Sequence, residues 1–330
     1  MPLSCLHWVF GFSSRQLLRP LALMLTCAPL VSALAAERVF EISAENSVIG
    51  ASGMVKSEFE DTLLDIGREY GLGYEEITLA NPSVDPWVPG DGTAVNLPTR
   101  FVLPAADRRG LVINIAEYRL YYFYRNKGQD YVETFPISIG RMDWRTPLGR
   151  ASVVDKVHKP TWYPPQSVRE EYAADGRTLG SQVPPGPDNP LGDYALRLSI
   201  PGYLIHGTNK PAGVGMRVTH GCIRMFPEDI EFLFPRVEVK TRVQIVNQPF
   251  KMGWMGDELY LEVHRPLDED ETGESDSLTP ITQAYVAATR DRPAIVDWKT
   301  IDAVYQDKLG IPVAVGRAVV DSVASSGAGQ

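Results

Sequence analysis

Residues 206–224 have the sequence HGTNKPAGVGMRVTHGCIR, which brings Cys222 close along the chain to two of its five histidines, His206 and His220. A thiolate is a nucleophile, and a nearby imidazole can take the thiol proton and later pass it to a leaving group. Gly221 leaves space beside the thiol, and the backbone N–H groups around it are suited to holding an oxyanion. This stretch therefore predicts acyl transfer on an amide or an ester.

The residues alone leave open which histidine is the base. His220 is two positions from the thiol, but side chains two positions apart in a turn need not face each other. His206 ends the β-like run 203–205, a position that suits presentation at the rim of a sheet. Zinc binding by Cys222 and both histidines is disfavoured, since the spacing fits no familiar site and no fourth ligand is evident. We expect no metal and no organic cofactor.

The first 35 residues have the pattern of a secretory signal peptide. Arg15 and Arg19 precede an apolar run over 21–31, and an A-x-A cleavage motif ends at Ala35. The alternative is an uncleaved membrane anchor, but Pro29 breaks the run, which is also shorter than the ~20 residues of a spanning helix. Cleavage removes two arginines and no acid, and so takes the formal net charge from −9 to −11. We expect the mature protein to be soluble in an extracytoplasmic compartment and not to bind nucleic acid.

Cysteine usage agrees with this interpretation. Cys5 and Cys27 leave with the signal peptide, so Cys222 is the single cysteine of the expected mature chain. Exported domains usually pair their cysteines, and an unpaired thiol is open to oxidation. A buried inert thiol is the alternative. The retained thiol favours a chemical use.

Composition and periodicity divide the mature chain into a small N-terminal unit over 38–104 and a strand-rich region over 110–248. In the small unit, two short helices near 61–72 and 74–81 lie between β-like segments, which predicts a βααβ order. Its opening strand is either Val39–Ile42 or Gly53–Lys56. The larger region has many short strands with Gly and Pro turns and one clear helix at 228–234, so we expect a mainly β sandwich or barrel.

The remaining chain has a mixed composition. The predicted segments are a β-like extension (249–267), an acidic linker (268–279), a helical segment (280–312, with helices at 280–290 and 297–309) and a tail (313–330).

The cysteine stretch resembles the signature of the YkuD-like L,D-transpeptidase family, which is His-Gly, a loop, and then Ser/Thr-His-Gly-Cys, a hydrophobic residue and Arg. Further matches to the family pattern are Ile139-Gly140, 146–149 and 184–192. The small unit resembles a LysM module in its Asp-Thr-Leu, Tyr-Gly-Leu and Ala-Asn-Pro motifs. With both parts together, the chain resembles the Gram-negative periplasmic enzymes that join an outer-membrane lipoprotein to peptidoglycan.

This resemblance implies a role for each motif residue. Cys222 is the nucleophile, His206 is the base, and the carbonyl of Gly207 orients the imidazole. Thr219, His220 and Gly221 shape the oxyanion and substrate loop. Arg224 contacts a carboxylate of the substrate.

The resemblance also implies substrates and partners. The acyl donor is a tetrapeptide stem of peptidoglycan, which loses its terminal D-Ala. The acceptor amine is the C-terminal lysine of a lipoprotein or a diaminopimelate of another stem, which gives a 3→3 cross-link. The LysM-like unit implies binding to N-acetylglucosamine-containing glycans, and carbapenem β-lactams are expected to acylate the thiol. Two alternatives stay open, namely a hydrolase with water as acceptor (an L,D-carboxypeptidase or a lipoprotein-releasing amidase) and a non-catalytic peptidoglycan-binding protein.

Overall fold

The computed structural model describes residues 38–268 and 278–319. The predicted signal peptide, most of the predicted acidic linker and the end of the predicted tail lie outside these residues. None of the helices in the described part has the length and the apolar content to cross a membrane.

The elements follow one another in three groups. The N-terminal group is β1 (Val39–Ile42), β2 (Val48–Gly50), β3 (Gly53–Lys56), α1 (Leu63–Glu69), α2 (Tyr74–Leu79), β4 (Ala94–Leu97) and β5 (Arg100–Val102). The central group is β6 (Gly110–Asn114), β7 (Arg119–Asn126), β8 (Gln129–Gly140), β9 (Gly149–His158), α3 (Gln166–Ala174), β10 (Tyr194–Leu198), β11 (Leu204–His206), β12 (Arg217–Thr219), β13 (Ile223–Met225), α4 (Pro227–Leu233) and β14 (Arg242–Val246). The C-terminal group is β15 (Phe250–Met255), β16 (Glu258–Val263), α5 (Thr279–Thr289), β17 (Ala294–Val296), α6 (Trp298–Asp307) and β18 (Val313–Ala318).

The central strands close into a barrel. Around the ring the order is β6, β7, β8, β13, β11, β10, β9 and β14, and β14 then pairs with β6. Only the β11–β13 and β14–β6 pairings of this ring are parallel. Apolar side chains from these strands fill the interior, among them Leu111, Phe135, Ile137, Leu196 and Ile223. The prediction of a mainly β, barrel-like catalytic fold is confirmed.

The small N-terminal unit has the predicted βααβ order, and β3 is its opening strand. β3 pairs antiparallel with β4, and α1 and α2 lie between them in sequence. The other candidate, β1, pairs with the first half of β8 and so belongs to the barrel sheet. Thr62 begins α1 with a capping box, because its hydroxyl accepts from the N–H of Asp65 at 3.1 Å and the Asp65 carboxylate accepts from the N–H of Thr62.

This unit packs tightly on the barrel through two glycines. A Cβ on Gly215 would lie 2.2 Å from the nitrogen of Tyr74 and 2.5 Å from Cα of Gly73, so neither backbone leaves room for a side chain at Gly215. The N–H groups of Tyr74 and Glu75 donate to the carbonyls of Val214 and Gly215 at 3.0 and 3.3 Å. The loop between His206 and Cys222 is therefore held from outside the barrel.

The C-terminal segments form one sheet with two helices on it. Its strand order is β15-β16-β18-β17, and both predicted helices are present as α5 and α6. The assignment of the whole of 313–330 to a tail is wrong, because Val313–Ala318 forms β18 and pairs with β16, which buries Val315. The run is too short and too mixed to show strand periodicity, and it becomes a strand only through pairing with β16 and β17 on either side.

A buried charge cluster joins the barrel to this C-terminal sheet. The ammonium of Lys251 on β15 bonds to Glu117 and, at 2.8 Å, to Glu262 on β16, and Nε2 of His264 lies 2.6 Å from Glu262. Glu117, Glu262 and His264 are a cluster that could hold a metal ion, but the ammonium already bonds to both carboxylates. Burial lowers the pKa of Lys251, yet the two carboxylates outweigh it and the pKa is raised. The cluster is therefore a structural ion network.

Replacing Lys251 by methionine should destabilise the protein strongly. The change leaves Glu117 and Glu262 buried without their cation, and the removal of one partner from a buried pair costs about 3–5 kcal/mol. Urea unfolding measures the loss. The matched control is Arg125→Met, which breaks an exposed pair with Asp130 and should cost at most about 1 kcal/mol. Equal unfolding midpoints for the two variants would contradict the assignment.

Candidate active site

The parallel pairing of β11 with β13 assembles the site. Ile205 lies opposite Ile223 and His206 opposite Arg224 in this register. Cys222 directly precedes β13, and its Sγ lies 3.6 Å from the carbonyl oxygen of Gly202, just before β11. The register puts Cys222 level with Leu204, two residues before His206 on the neighbouring strand. A thiol and a histidine that are sixteen residues apart in sequence thus lie on adjacent strands.

His206 is buried and held in one orientation. Its Nδ1 lies 2.6 Å from the carbonyl oxygen of Gly207. Because a carbonyl can only accept, Nδ1 carries the proton and Nε2 is left as the proton acceptor. Burial, followed by the charge of Arg224, lowers the pKa of His206 to about 3. The imidazole is therefore neutral at physiological pH.

Cys222 is a partly buried thiol without a disulfide partner among the described residues. Burial raises its pKa, although a hydrogen bond from the backbone of Leu204 and the charge of Arg224 act in the opposite direction. At neutral pH the site therefore holds a neutral thiol and a neutral imidazole. In such a pair, the proton leaves the sulfur as the sulfur attacks.

The loop before Cys222 is shaped by hydrogen bonds and one required glycine. The Thr219 hydroxyl donates to the carbonyl of Cys222 at 2.6 Å and accepts from the N–H of Gly221 at 3.2 Å. Gly221 has a φ of +99°, and a Cβ there would lie 2.8 Å from the ring of Tyr203. The Gly221 N–H is used inside the loop, which makes it unavailable to an oxyanion.

Two other motif residues support this loop from behind. The Thr146 hydroxyl donates to the Gly221 carbonyl at 2.9 Å and accepts from the N–H of Gly140 at 3.0 Å. A Cβ on Gly140 would lie 1.9 Å from the carbonyl oxygen of Trp144 and 2.9 Å from Cα of Gly221. The Ile-Gly and Thr-Pro-Leu-Gly motifs thus position the cysteine loop.

His220 faces away from this backbone network, toward α3. Its Nε2 lies 2.8 Å from the Glu171 carboxylate, and its ring meets Trp144 edge-on at 5.2 Å between centroids. Arg141 donates two bonds to the same carboxylate, at 2.9 and 3.0 Å. Arg141 first, then His220, lower the pKa of Glu171 to about 2. The carboxylate is therefore ionised throughout the physiological range.

Arg224 brings a positive charge to the site. Among residues 38–268 and 278–319, no carboxylate forms an ion pair with it, and its buried Nε has no hydrogen-bond partner. Burial lowers its pKa, while Cys222 acts to raise it. A Cβ on Gly213 would lie 3.3 Å from Nη1, so the loop between the two catalytic candidates lies directly against the guanidinium.

Of the sequence-predicted site residues, the structure brings Cys222, His206 and Arg224 together with their neighbours in the motif. Sequence reasoning missed Glu171 and Arg141. Glu171 lies 49 positions before His220, and Arg141 lies earlier still in the chain. Neither belongs to a motif, so no local signal marked them.

The family model for the L,D-transpeptidase catalytic domain matches residues 108–245 of this sequence. The probable L,D-transpeptidase YbiS of Escherichia coli is 42% identical over 248 residues, which cover 74% of this chain and 80% of that protein. The chain belongs to the L,D-transpeptidase family. The probable L,D-transpeptidase ErfK/SrfK of Salmonella typhimurium is 40% identical over 254 residues, which cover 76% of this chain and 81% of that protein.

Solved structures give a weaker likeness. L,D-transpeptidase 3 from Mycobacterium tuberculosis is 18% identical with a TM-score of 0.31, over 47% of this chain and 75% of that chain. That score is too low to add to the assignment, which rests on the sequence relatives.

The pH dependence of Cys222 alkylation should report the neutral resting state. Burial raises the pKa of Cys222, so the rate of its alkylation by iodoacetamide should still increase with pH above the ordinary thiol pKa of about 8.5. The alkylated Cys222 peptide is quantified by mass spectrometry across a pH series. Arg224→Met removes a positive charge and should move the midpoint to higher pH, whereas Arg224→Lys should not. An alkylation rate that is already constant above about pH 7 would instead indicate a thiolate–imidazolium pair.

Proposed function

We propose that this protein is a periplasmic L,D-transpeptidase that uses Cys222 and His206 for acyl transfer on peptidoglycan stem peptides. The observation that carries the proposal is the free Cys222 thiol directly before β13, on the strand next to that of a buried His206 whose Nδ1 is engaged by the carbonyl of Gly207. Family membership supports the reaction class, and the predicted signal peptide supports the periplasmic location.

In the first half-reaction, Sγ attacks the carbonyl carbon at the L-centre of diaminopimelate in a tetrapeptide stem. Nε2 of His206 takes the thiol proton as the S–C bond forms. The C–N bond to the terminal D-Ala then breaks, and the imidazolium returns the proton to the departing amine. The products are free D-Ala and a thioester on Cys222.

In the second half-reaction, an amine attacks the thioester carbon and the C–S bond breaks. His206 takes a proton from the attacking amine and restores the thiol, so atoms and charges balance over the cycle. The acceptor is a lipoprotein lysine or a diaminopimelate amine of another stem. Water as acceptor would make the same site a hydrolase, and only the products separate these outcomes.

The cysteine loop and Arg224 complete the site in this proposal. The backbone N–H of Gly221 donates to the Thr219 hydroxyl. We therefore assign the oxyanion to the backbone N–H groups of His220 and Cys222. Within residues 38–268 and 278–319 no carboxylate pairs with the partly buried charge of Arg224. This charge suits a carboxylate of the stem peptide, because a guanidinium binds a carboxylate with two parallel bonds. A carbapenem would acylate the same sulfur, and no metal or cofactor takes part.

We also propose that the βααβ unit binds peptidoglycan glycan. Its loops 57–62 and 80–93 meet at one end, where the N–H of Ser57 donates to the carbonyl of Thr93 at 2.9 Å. These loops expose two aromatic side chains, Phe59 at 83% and Trp87 at 58%. Aromatic rings exposed on two loops that meet offer an apolar surface suited to the face of a sugar ring. The unit would hold the glycan strand while the stem peptide enters the cysteine site.

A product assay tests the catalytic proposal. The protein is incubated with a disaccharide-tetrapeptide, with and without a lysine-ended peptide, and the products are followed by mass spectrometry. Cys222→Ala should abolish D-Ala release, and His206→Ala should lower its rate by about 10²–10⁴-fold. The control is His158→Ala, an exposed histidine stacked on Tyr194, which should behave as wild type.

The products distinguish the alternatives. D-Ala release together with an amide-linked product supports the transferase, whereas accumulation of tripeptide alone supports the hydrolase. Activity retained by Cys222→Ala would show that the nucleophile is assigned wrongly.

A pull-down on insoluble peptidoglycan tests the glycan proposal. In a Cys222→Ala background, Phe59→Ala and Trp87→Ala should each weaken binding several-fold, because both remove an exposed aromatic surface. The matched control is Tyr163→Ala, an aromatic exposed at 68% outside this unit. Unchanged binding by the double variant of Phe59 and Trp87 would refute the role of these loops.

A further inference from the structure

The carboxylate of Glu171 connects three segments that are far apart in sequence. Glu171 lies on α3, in the chain between the adjacent strands β9 and β10. It bonds to Arg141, which follows β8, and to His220, which lies two residues before Cys222. It therefore joins α3 to the loop that carries the thiol.

We infer that Glu171 is a positioning residue for the reaction at Cys222, and that it acts by holding His220 in place. This inference rests on the proposed function of Cys222. Glu171 reaches neither Cys222 nor His206 by any hydrogen bond among the described residues, so its effect must pass through His220.

Two contacts orient the His220 ring. A carboxylate that is always ionised can only accept, so Nε2 of His220 carries the proton that points at Glu171. The edge-on contact with Trp144 favours the same orientation of the ring plane. Arg141 in turn holds the carboxylate with two bonds, an arrangement that fixes the orientation of the carboxylate as well as its charge.

An oriented His220 matters because of its place in the loop. The neighbouring positions are held by backbone and hydroxyl bonds, Thr219 to the carbonyl of Cys222 and Gly221 to Thr146. His220 is the one position of Thr219–Cys222 that is held through a charged side chain from another element. The backbone N–H of His220 is a candidate oxyanion donor, so a loose ring would loosen the donor as well.

The same contacts are expected to matter little for stability. The side chains of Arg141, Glu171 and His220 are exposed by 36%, 34% and 30%. Ion pairs this exposed contribute little to folding because water screens them. A positioning role therefore predicts a loss of turnover without a loss of stability, which a merely structural role would not.

The test measures kcat and KM for D-Ala release by the full-length protein, alongside its urea unfolding midpoint. Glu171→Ala should lower kcat by about 10–100-fold and leave KM within about threefold, because the loop acts on the transition state. Glu171→Gln keeps an oxygen that can accept from Nε2 and should recover most of kcat. The control is Glu170→Gln on the same helix, an exposed residue bonded to Gln166, which should match wild type.

A double-mutant cycle tests whether the effect passes through His220. In a His220→Ala background, Glu171→Ala should have no further effect on kcat. A further loss in that background, or wild-type kcat in Glu171→Ala alone, overturns the inference. If Glu171→Ala does not fold, Glu171→Asp replaces it, since the shorter side chain cannot reach Arg141 and His220 together and should also lower kcat.

Failure of this inference is distinguishable from failure of the proposed function. If Cys222→Ala keeps its activity, the proposed function itself is wrong. If Cys222→Ala is inactive while Glu171→Ala turns over normally, only the role of Glu171 is wrong.

Discussion

The parallel pairing of β11 with β13 is the constraint on which the rest of the site depends. Parallel neighbours need a long connection, and here that connection is the loop from His206 to Cys222. The register brings a buried imidazole and a partly buried thiol onto adjacent strands, within two residues of each other along the pair. β13 also pairs with β8, and β8 closes the ring through β7, so the position of the thiol is determined by the closed barrel.

The same loop is where the small unit meets the barrel. Gly73 and Gly215 allow the two backbones to touch, and Arg119 on β7 forms a buried ion pair with Glu76 on α2 at 2.6 Å. On the other side of the loop, Gly213 lies against Arg224. A unit proposed to bind glycan and a site proposed to cut its stem peptide thus share one segment of chain. Arg68 on α1 also donates two hydrogen bonds, at 2.7 and 2.8 Å, to the carboxylate of Glu228 on α4, which adds to this junction.

Electrostatics at the site favour an uncharged resting pair. Burial raises the pKa of Cys222 and lowers that of His206 to about 3, so a charge appears on either group only as the reaction proceeds. Arg224 stands beside both with a positive charge that no described carboxylate neutralises. It therefore favours any negative charge that arises on the sulfur or arrives with the substrate. In contrast, the Glu171 carboxylate accepts hydrogen bonds from Arg141 and His220.

The sequence alone determined the fold class, the family resemblance, the βααβ order and the identity of the thiol, because each depends on local periodicity or on a contiguous motif. The choice of β3 over β1, the strand Val313–Ala318 and the buried Lys251 cluster depended on pairing between distant segments, which local patterns do not record. The same holds for Glu171, whose contact with His220 spans 49 positions. The sequence determined which chemical groups are present. Only the closed barrel decided their distances, their burial and hence their charge states.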